Sequence, residues 1–444
     1  MKTHALALCL ALPLAACGAR SELIAVIAPQ IPLPDASSPD ASSPDVTRPD
    51  VTAPGCLDRS LPGGLLRWTL AGFTGHPAVG RDGTIYVPTV EPEGGRGLAA
   101  VSPCGVLLWR TPGWVGTAAT RNIAQRPYAR IQDDGRLLLT NSVGGNARYG
   151  VFRYERDGMA LGALAIDRTL SSFFGVPAGQ GPLVLAWSGE STRFELAQFS
   201  RDGVRRTLAR EFRNGEECAV SGTILACFDR AFDLRAERML WDGPTDEILD
   251  GTRRHVVGPA VTADTLYAML FGIRTYVLVA KDLRTGRERW RSTLRTSTSG
   301  QTGLVVGAPV VSPDGSVSVY LKLGNTSPGL LYSFAPDGTP RWTAPGSGGP
   351  QDFLHDATHT VDRDGVTYLA VGSRVIAIEP TGRERWSLSV SGGLLRAAPV
   401  LSPFGDVYVI TETDLLAAVA AESRGVSETG WPSARGGPEN TNAR

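Results

Sequence analysis

Short apolar runs separated by turn residues recur along the chain from about residue 62 onward. A clear unit begins with Gly307-Ala308-Pro309-Val310-Val311, turns at Pro313-Asp314-Gly315 and continues with Val317 and Val319 alternating with serines. Asp-Gly steps between β-branched runs indicate hairpins, because a tight turn needs a positive φ that glycine adopts without steric cost. Helical periodicity is hard to find anywhere, so the pattern predicts an all-β chain.

The unit repeats. A proline stands six residues before the turn glycine at Pro77, Pro309 and Pro399, and Pro259 keeps that distance to Thr265. A four-stranded sheet with two apolar faces cannot cover itself, so such units must stack, and a period of about 46 residues fits a propeller blade. We therefore predict a β-propeller of four-stranded antiparallel blades. The expected number of blades is eight, with seven as the alternative. In the eight units, the residues at this turn position are Gly83, Gly135, Gly181, Gly222, Thr265, Gly315, Gly365 and Gly405.

One segment of the repeat carries a family resemblance. Ala280-Lys281-Asp282-Leu283-Arg284-Thr285-Gly286-Arg287-Glu288-Arg289-Trp290 resembles the motif Ala-x-Asp-x-x-Thr-Gly-x-x-x-Trp of the pyrroloquinoline-quinone-like propeller repeats. Residues 377–386 are similar with one deletion, and the tail 430–441 resembles a Trp-Pro-x-x-Arg tail frequent in bacterial members. In that family the tryptophan packs against the neighbouring blade. The resemblance implies this structural role for Trp68, Trp109, Trp290, Trp342 and Trp386.

The chain ends predict how the ring closes. Residues 64–70, Gly-Leu-Leu-Arg-Trp-Thr-Leu, look like the fourth strand of a blade but precede the first full unit. We expect this strand to pair with the last unit, 397–420, because such closure hides the open sheet edges.

The N-terminus predicts export and a lipid anchor. Residues 5–16 form a short, small-apolar run behind Lys2 and His4, too brief for the ~20 residues of a membrane span but suited to a signal peptide over 1–16. Leu14-Ala15-Ala16-Cys17 resembles the bacterial lipobox, which implies that Cys17 becomes the lipidated N-terminus. The alternative is an ordinary signal peptide with an incidental cysteine.

Residues 17–55 differ in composition from the rest. They are rich in Pro, Asp and Ser and lack aromatic residues, so they cannot bury enough apolar area to fold. We interpret them as a disordered tether between the lipid and a propeller over 56–444.

The cysteines support an extracytoplasmic location. Cys9 leaves with the signal peptide, and an even number remains beyond Cys17, which suggests disulfides in an exported protein. Cys218 and Cys227 flank a hairpin symmetrically and are the favoured pair, which leaves Cys56 with Cys104. Three pairings are formally possible, and unpaired buried thiols are the alternative.

Signals for catalysis and cofactors are missing. The vicinal cysteine pair of quinone-dependent dehydrogenases, a haem Cys-x-x-Cys-His, a Gly-x-Ser-x-Gly elbow and a phosphate loop are all absent from the sequence. His355 and His359 stand four apart on an expected strand, ~13 Å from each other, which disfavours a shared metal. The segment 362–365 resembles part of a calcium loop but fits a hairpin turn better. The sequence thus assigns no catalytic, cofactor or metal residues.

The net charge of the chain limits the classes of partner that we expect. The chain carries 44 basic and 44 acidic residues, so it has no nucleic-acid footprint. We expect no enzyme but a monomeric, lipid-anchored scaffold of the cell envelope, on the outer membrane or in the periplasm, that binds a protein or a glycan. The alternative is a periplasmic oxidoreductase dependent on quinone or metal, with Asp264, Asp356 and Asp362 near a central funnel.

Replacing Cys17 by Ser tests the anchor. We expect the variant to leave the membrane fraction, because it lacks the cysteine whose several acyl chains would hold the protein on the membrane. Fractionation followed by a carbonate wash measures this. A variant that stays with the membrane as the wild type does would contradict lipid anchoring.

Overall fold

The structure is a computed structural model that describes residues 61–436 apart from several segments. All described residues belong to a compact unit spanning Asp50–Arg444. The predicted signal peptide and tether, with Cys17 and Cys56, therefore lie outside the described residues. The segments left out are 91–95, 112–126, 133, 144–147, 168–169, 176–182, 188–193, 201–203, 213–217, 244–247, 251, 254, 297–304, 324–327, 347–358, 428, 431 and 434–435.

Strands are the only regular elements in the described part of the chain. The first seventeen are β1 (Leu66–Ala71), β2 (Ala78–Val79), β3 (Ile85–Val90), β4 (Arg96–Val101), β5 (Leu107–Arg110), β6 (Tyr128–Ile131), β7 (Leu137–Val143), β8 (Arg148–Tyr154), β9 (Ala160–Asp167), β10 (Leu170–Gly175), β11 (Leu183–Trp187), β12 (Phe194–Phe199), β13 (Arg205–Phe212), β14 (Cys218–Ser221), β15 (Ile224–Cys227), β16 (Arg230–Asp233) and β17 (Arg238–Asp242).

Eighteen strands remain, and the first two of them form a short separate hairpin. They are β18 (Ile248–Leu249), β19 (Thr252–Arg253), β20 (His255–Val261), β21 (Thr265–Phe271), β22 (Thr275–Asp282), β23 (Glu288–Thr296), β24 (Val305–Val306), β25 (Val310–Val311), β26 (Val317–Lys322), β27 (Leu330–Phe334), β28 (Pro340–Pro345), β29 (His359–Val361), β30 (Thr367–Val371), β31 (Arg374–Ile378), β32 (Glu384–Ser389), β33 (Val400–Leu401), β34 (Asp406–Ile410) and β35 (Leu415–Ala420).

These strands form the blades of a propeller. In the described residues, seven sheets have four antiparallel strands each, and an eighth has five because β24 and β25 are two pieces of one inner strand that both pair with β26. We number the sheets by chain order as blades 1 (β2–β5), 2 (β6–β9), 3 (β10–β13), 4 (β14–β17), 5 (β20–β23), 6 (β24–β28), 7 (β29–β32) and 8 (β33–β35 with β1). The predicted all-β propeller of seven or eight blades is confirmed.

Blade 8 combines two distant parts of the chain. Strand β1 pairs antiparallel with β35, in a register that sets Trp68 beside Ala418. Outside the strands, the Gly64 amide donates to the Ala420 carbonyl at 2.8 Å, and the Ala420 amide donates to the Leu65 carbonyl at 2.9 Å. The fourth strand of blade 8 thus comes from residues 66–71, which cover the edge of β35 and join the first and last described strands in one sheet.

The core lies between blades. In blades 6, 7 and 8, for example, β26, β31 and β34 are buried almost throughout and pack against the next blade through alternating side chains. At the junction of blades 8 and 1, for example, Tyr408 and Ile410 share an apolar cluster with Val79, Ile85 and Val87. Each blade therefore depends on its neighbours to cover its apolar faces.

Tryptophans on the fourth strands contact the next blade. At five junctions of the described residues the indole N–H donates to a carbonyl in the turn that precedes the next blade's fourth strand, as Trp290 does to Pro336 at 2.8 Å. The ring covers the glycine of that turn, where φ is positive and a Cβ on Gly338 would lie 2.6 Å from the Trp290 ring. The same bond joins Trp68 to Pro103 at 3.0 Å, Trp109 to Arg156 at 2.9 Å, Trp241 to Leu283 at 2.9 Å and Trp342 to Pro380 at 2.8 Å.

Trp386 of blade 7 meets a different partner. In blade 8 the third and fourth strands are not joined by a turn, and the Trp386 ring packs on Gly63 and Gly64, which precede β1. Its indole N–H is buried and has no hydrogen-bond partner among the described residues. The chain start therefore supplies the glycine of the docking contact but not the carbonyl acceptor.

Trp241 was absent from the sequence-based set of docking residues. Its segment keeps the motif spacing, with Ala231, Asp233 and Trp241 in place, but Glu237 stands where the other copies have glycine. The structure gives Glu237 a φ of 51°, and Asp233 accepts the amides of the following turn. The turn thus keeps its shape, although Glu237 carries a side chain in a left-handed backbone conformation that favours glycine.

The predicted disulfide between Cys218 and Cys227 is confirmed. The two residues lie directly opposite each other on β14 and β15, with their Cα atoms 4.3 Å apart. Cys104 is also disulfide-bonded. The pairing of Cys56 with Cys104 stays a prediction, since Cys56 lies outside the described residues.

Replacing Glu237 by Gly tests the strained turn. We expect Glu237→Gly to be more stable to urea than Glu237→Ala by about 1 kcal/mol, because only glycine adopts the left-handed backbone without a Cβ clash. Both variants lose the ion pair with Arg206, so their difference isolates the backbone term. Equal unfolding free energies would show that the turn is unstrained.

Candidate functional site

A tyrosine, an alanine and the docking tryptophan stand side by side in four blades. In blade 7, Tyr368 pairs with Ala377, which pairs with Trp386. The alanine is small enough for the two rings to meet, with centroids 5.9 Å apart. The other three sets are Tyr86, Ala100 and Trp109; Tyr267, Ala280 and Trp290; and Tyr408, Ala418 and Trp68.

These tyrosines fill the space between their own blade and the next. Tyr368 is buried, and its hydroxyl donates to Asp362 at 3.0 Å and approaches the Ala421 carbonyl of blade 8 at 3.1 Å. Burial raises the pKa of Tyr368 well above its usual range, so the phenol stays protonated. The tyrosine therefore acts as a filler with a satisfied polar end.

Blade 6 breaks this series. At the positions of the tyrosine and the alanine it has Ser318 and Ser333, which pair with each other and then with Trp342. The tyrosine of this strand, Tyr320, lies two residues further along and joins another apolar cluster with Leu331. The space that a phenol occupies elsewhere is therefore not filled from blade 6.

A cleft of about 180 Å³ lies at this place, between blades 6 and 7. Its walls come largely from turns of the two blades, and nine of its thirteen lining residues are polar or charged. The lining residues are Ser312, Pro313, Asp314, Ser316, Ser318, Ser333, Arg341 and Trp342 from blade 6, and Arg363, Asp364, Gly365, Thr367 and Pro380 from blade 7.

Both carboxylates of the cleft are paired with arginines. Arg341 contacts Asp314 at 2.7 Å, and Asp314 also accepts the Ser316 amide at 3.0 Å and hydroxyl at 2.6 Å. Burial opposes ionisation of Asp314, but these bonds outweigh it and hold its pKa below the usual range. Asp364 is bound by Arg424, whose hydrogen bonds lower the pKa of that carboxyl. Both carboxylates are therefore ionised and neutralised by arginine at pH 7.

Ser318 shares a hydrogen bond with His359 of blade 7, at 2.9 Å between Oγ and Nε2. Both side chains are buried, with exposed fractions of 3% and 1%. Burial lowers the pKa of His359 to about 4, so the imidazole is neutral near pH 7. In either tautomer the serine oxygen keeps hydrogen-bonding capacity for another group.

His359 stands where the repeat has proline. Thr360 pairs with Tyr368 in the way that Val310 pairs with Ser318, so His359 corresponds to Pro309, one residue earlier in the strand. Two departures from the repeat, a serine in blade 6 and a histidine in blade 7, thus contact each other across one interface.

Blade 4 offers a comparison, because it also lacks the tyrosine. Ala226 takes that position, in register with Ala231 and Trp241. Lys281 of blade 5 extends into this interface, with its ammonium 3.6 Å from the Phe228 ring centroid and bonded to the Phe228 carbonyl at 3.0 Å. Loss of the tyrosine in blade 4 is thus answered by a long side chain from the neighbour.

Two other sequence-derived candidates, Asp264 and Asp362, lie in different blades. Asp264 lies in an exposed turn, where Arg289 contacts it at 2.9 Å and lowers its pKa. Asp362 is buried and accepts the amides of Asp364 and Val366, and burial raises its pKa. Asp356 and His355 lie outside the described residues. Within the described ranges, the structure brings no three His, Cys, Asp or Glu residues together as a metal site.

Comparisons with known proteins leave the family open. Neither a protein-family model nor a curated protein matches the chain. Among solved structures, one is a protein of unknown function from Bacteroides caccae, with 16% identity and a TM-score of 0.28. The match covers 43% of this chain and 62% of that one. Among the described residues, no helix has the length and apolar character to cross a membrane.

The sequence contained a signal for the cleft that composition and motif searches miss. Aligning Val317-Ser318-Val319 with Ile85-Tyr86-Val87 places a serine in the tyrosine position, and the same alignment places His359 on the repeating proline. Contact between these two departures needs the third dimension, because they are 41 residues apart.

The pH dependence of stability tests the burial of His359. Its pKa is about 4 in the fold and ~6.5 in an unfolded chain, so the unfolded state binds more protons between these values. Stability from the neutral imidazole is complete above pH 6.5 and is lost as the pH falls towards 4, by on the order of 3 kcal/mol.

Urea unfolding of the wild type and of His359→Gln between pH 7.5 and 4.5 measures this contribution. The glutamine keeps a neutral hydrogen-bonding group but does not titrate, so its unfolding free energy should fall less steeply with acid. Parallel profiles for the two proteins would contradict a buried, neutral imidazole.

Proposed function

We propose that this chain is a non-catalytic lipoprotein of the cell envelope, on the outer membrane or in the periplasm, whose propeller is a binding scaffold for a protein or a glycan. The observation that carries the proposal is the polar cleft between blades 6 and 7, where the repeat is altered on both sides of one interface. The rest of the ring serves to hold these two blades in a fixed arrangement.

The extracytoplasmic part of the proposal is supported by the sequence and by one cross-link. Leu14-Ala15-Ala16-Cys17 and the Pro-Asp-Ser-rich residues 17–55 fit a lipid anchor and a tether. The disulfide between Cys218 and Cys227 fits an oxidising compartment, since such bonds are rare in the cytosol.

The non-catalytic part rests on the state of the groups at the cleft. A histidine with a pKa of about 4 is a weak general base near neutral pH, where catalysis favours a pKa close to the operating pH. The carboxylates of Asp314 and Asp364 are held by arginines, which suits recognition of a ligand better than proton transfer. The pair Ser318–His359 is therefore interpreted as a fixed hydrogen-bonding group.

The proposal includes membership of the pyrroloquinoline-quinone-like repeat family, without its cofactor. In favour of it are the motif at 280–290 and the repeated contact between a tryptophan and a turn glycine in the next blade. The sequence lacks the vicinal cysteines of the quinone-dependent members.

Replacing Arg341 by Ala tests whether this face of the ring recruits a partner. We expect the tagged wild type to retain a defined protein or glycan from a detergent extract of the envelope and Arg341→Ala to lose it, because the variant removes one wall of the cleft. Affinity purification with mass spectrometry and sugar analysis measures this.

Arg289→Ala is the matched control, because Arg289 also precedes a docking tryptophan and also contacts the aspartate of its blade's first turn. It should retain the partner. Equal loss in both variants would place the binding elsewhere, and a bound quinone with dye-linked alcohol oxidation by the wild type would overturn the proposal in favour of an oxidoreductase.

A further inference from the structure

We propose that the cleft between blades 6 and 7 binds one uncharged sugar ring of a glycan, with the Ser318–His359 pair as its polar floor. This inference rests on the proposed binding function and names its ligand. It follows from three properties of the cleft: how its floor is built, how large it is and how its charges are arranged.

The floor is built from residues that fit each other but not the repeat. If Ser318 faced a proline, its buried hydroxyl would lack the hydrogen bond to His359. If His359 faced a tyrosine, its imidazole would lack the hydrogen bond to Ser318. Such a loss costs ~1–3 kcal/mol. With both changes present, Ser318 and His359 satisfy each other at 2.9 Å. The pair therefore keeps a buried hydroxyl at a position where blades 1, 5, 7 and 8 have a tyrosine ring.

A third departure points the same way. Ser333 replaces the alanine that separates tyrosine from tryptophan in four other blades, and it is buried beside Ser318. Blade 4 shows that a missing tyrosine can be compensated by one long side chain, Lys281. In blade 6 the space is left open instead, and two hydroxyls line it. The interface between blades 6 and 7 therefore contains an open cleft where the interface between blades 4 and 5 contains a side chain.

The size of the cleft limits the ligand. Its volume of about 180 Å³ is below the ~300–1,000 Å³ of sites for drug-sized molecules, so it has room for one ring of a larger chain. Trp342, Pro313 and Pro380 add apolar surface at its walls. An aromatic ring and prolines suit the C–H face of a pyranose, while serine and threonine hydroxyls suit its alcohol groups.

The charges favour an uncharged ligand. The lining contains two arginines and two aspartates. Arg341 is bound by Asp314 at 2.7 Å, and Asp364 is bound by Arg424. A phosphate or carboxylate would have to compete with Asp314 for Arg341, whereas a neutral hydroxyl can bond to that ion pair without breaking it.

Ligand-observed NMR with purified protein tests the inference. The probes are glucose, galactose, mannose and N-acetylglucosamine at millimolar concentration, with inorganic phosphate as the charged probe. We expect the wild type to bind at least one of the sugars and not phosphate. Ser318→Ala should weaken that sugar by about tenfold, the loss that corresponds to one hydrogen bond with a partner left unpaired.

The variant S318Y/H359P restores the tyrosine and the proline of the other interfaces. It should fold with a melting temperature at or above that of the wild type and lose sugar binding entirely, because the phenol fills the cleft. Tyr267→Phe, a change at the equivalent tyrosine of blade 5, is the control and should bind as the wild type does. If the double variant fails to fold, Ser318→Ala still decides the question.

The results separate this inference from the proposed function. No binding of any of the four sugars by the wild type, binding of phosphate alone, or equal sugar binding by the folded double variant would each overturn the inference. If an envelope partner is nevertheless retained by the wild type and lost in Arg341→Ala, the binding function stands with a different ligand. If no partner is retained either, both proposals fail.

Discussion

Coverage of two apolar sheet faces is the constraint on which this molecule depends. The second and third strands of a blade are buried on both sides, and water is excluded only if another blade lies against each face. A row of such sheets has two exposed ends, so it is complete only as a ring. Strand β1 completes it by pairing with β35, so that the first and last strands of the described chain belong to one blade.

The contact between a tryptophan and a turn glycine makes each interface specific. An indole flat on a glycine fixes the distance between blades, and its N–H bond to a turn carbonyl fixes the orientation, as for Trp290 on Gly338. The contact recurs at five junctions with the same bond and at Trp386 without it. The difference at Trp386 arises where the chain supplies Gly63 and Gly64 from its beginning in place of a turn.

Features set by spacing within one repeat, and the pairing of the two ends of the chain, could be read from the sequence. Contacts between particular side chains of different blades could not. Turn glycines, docking tryptophans and the Cys218–Cys227 hairpin each depend on residues within about a dozen positions of one another, so their spacing is visible in the chain. Trp241 escaped because Glu237 replaces the glycine of its motif while the backbone keeps the same left-handed turn. The cleft escaped for a different reason: Ser318 and His359 belong to different blades, and only the closed ring brings them to 2.9 Å.

A ring of similar blades also shows which interface departs from the others. An interface that only holds the ring together is served well by a tyrosine and a proline, and these fill it in the neighbouring blades. Where stability alone is at stake, one departure is answered by one compensating side chain, as Ala226 is by Lys281. Between blades 6 and 7, three departures add buried hydroxyl and imidazole groups and leave the space open. Such an arrangement gives up apolar burial that the fold obtains elsewhere, and the proposed ligand, by using the polar floor, would account for that loss.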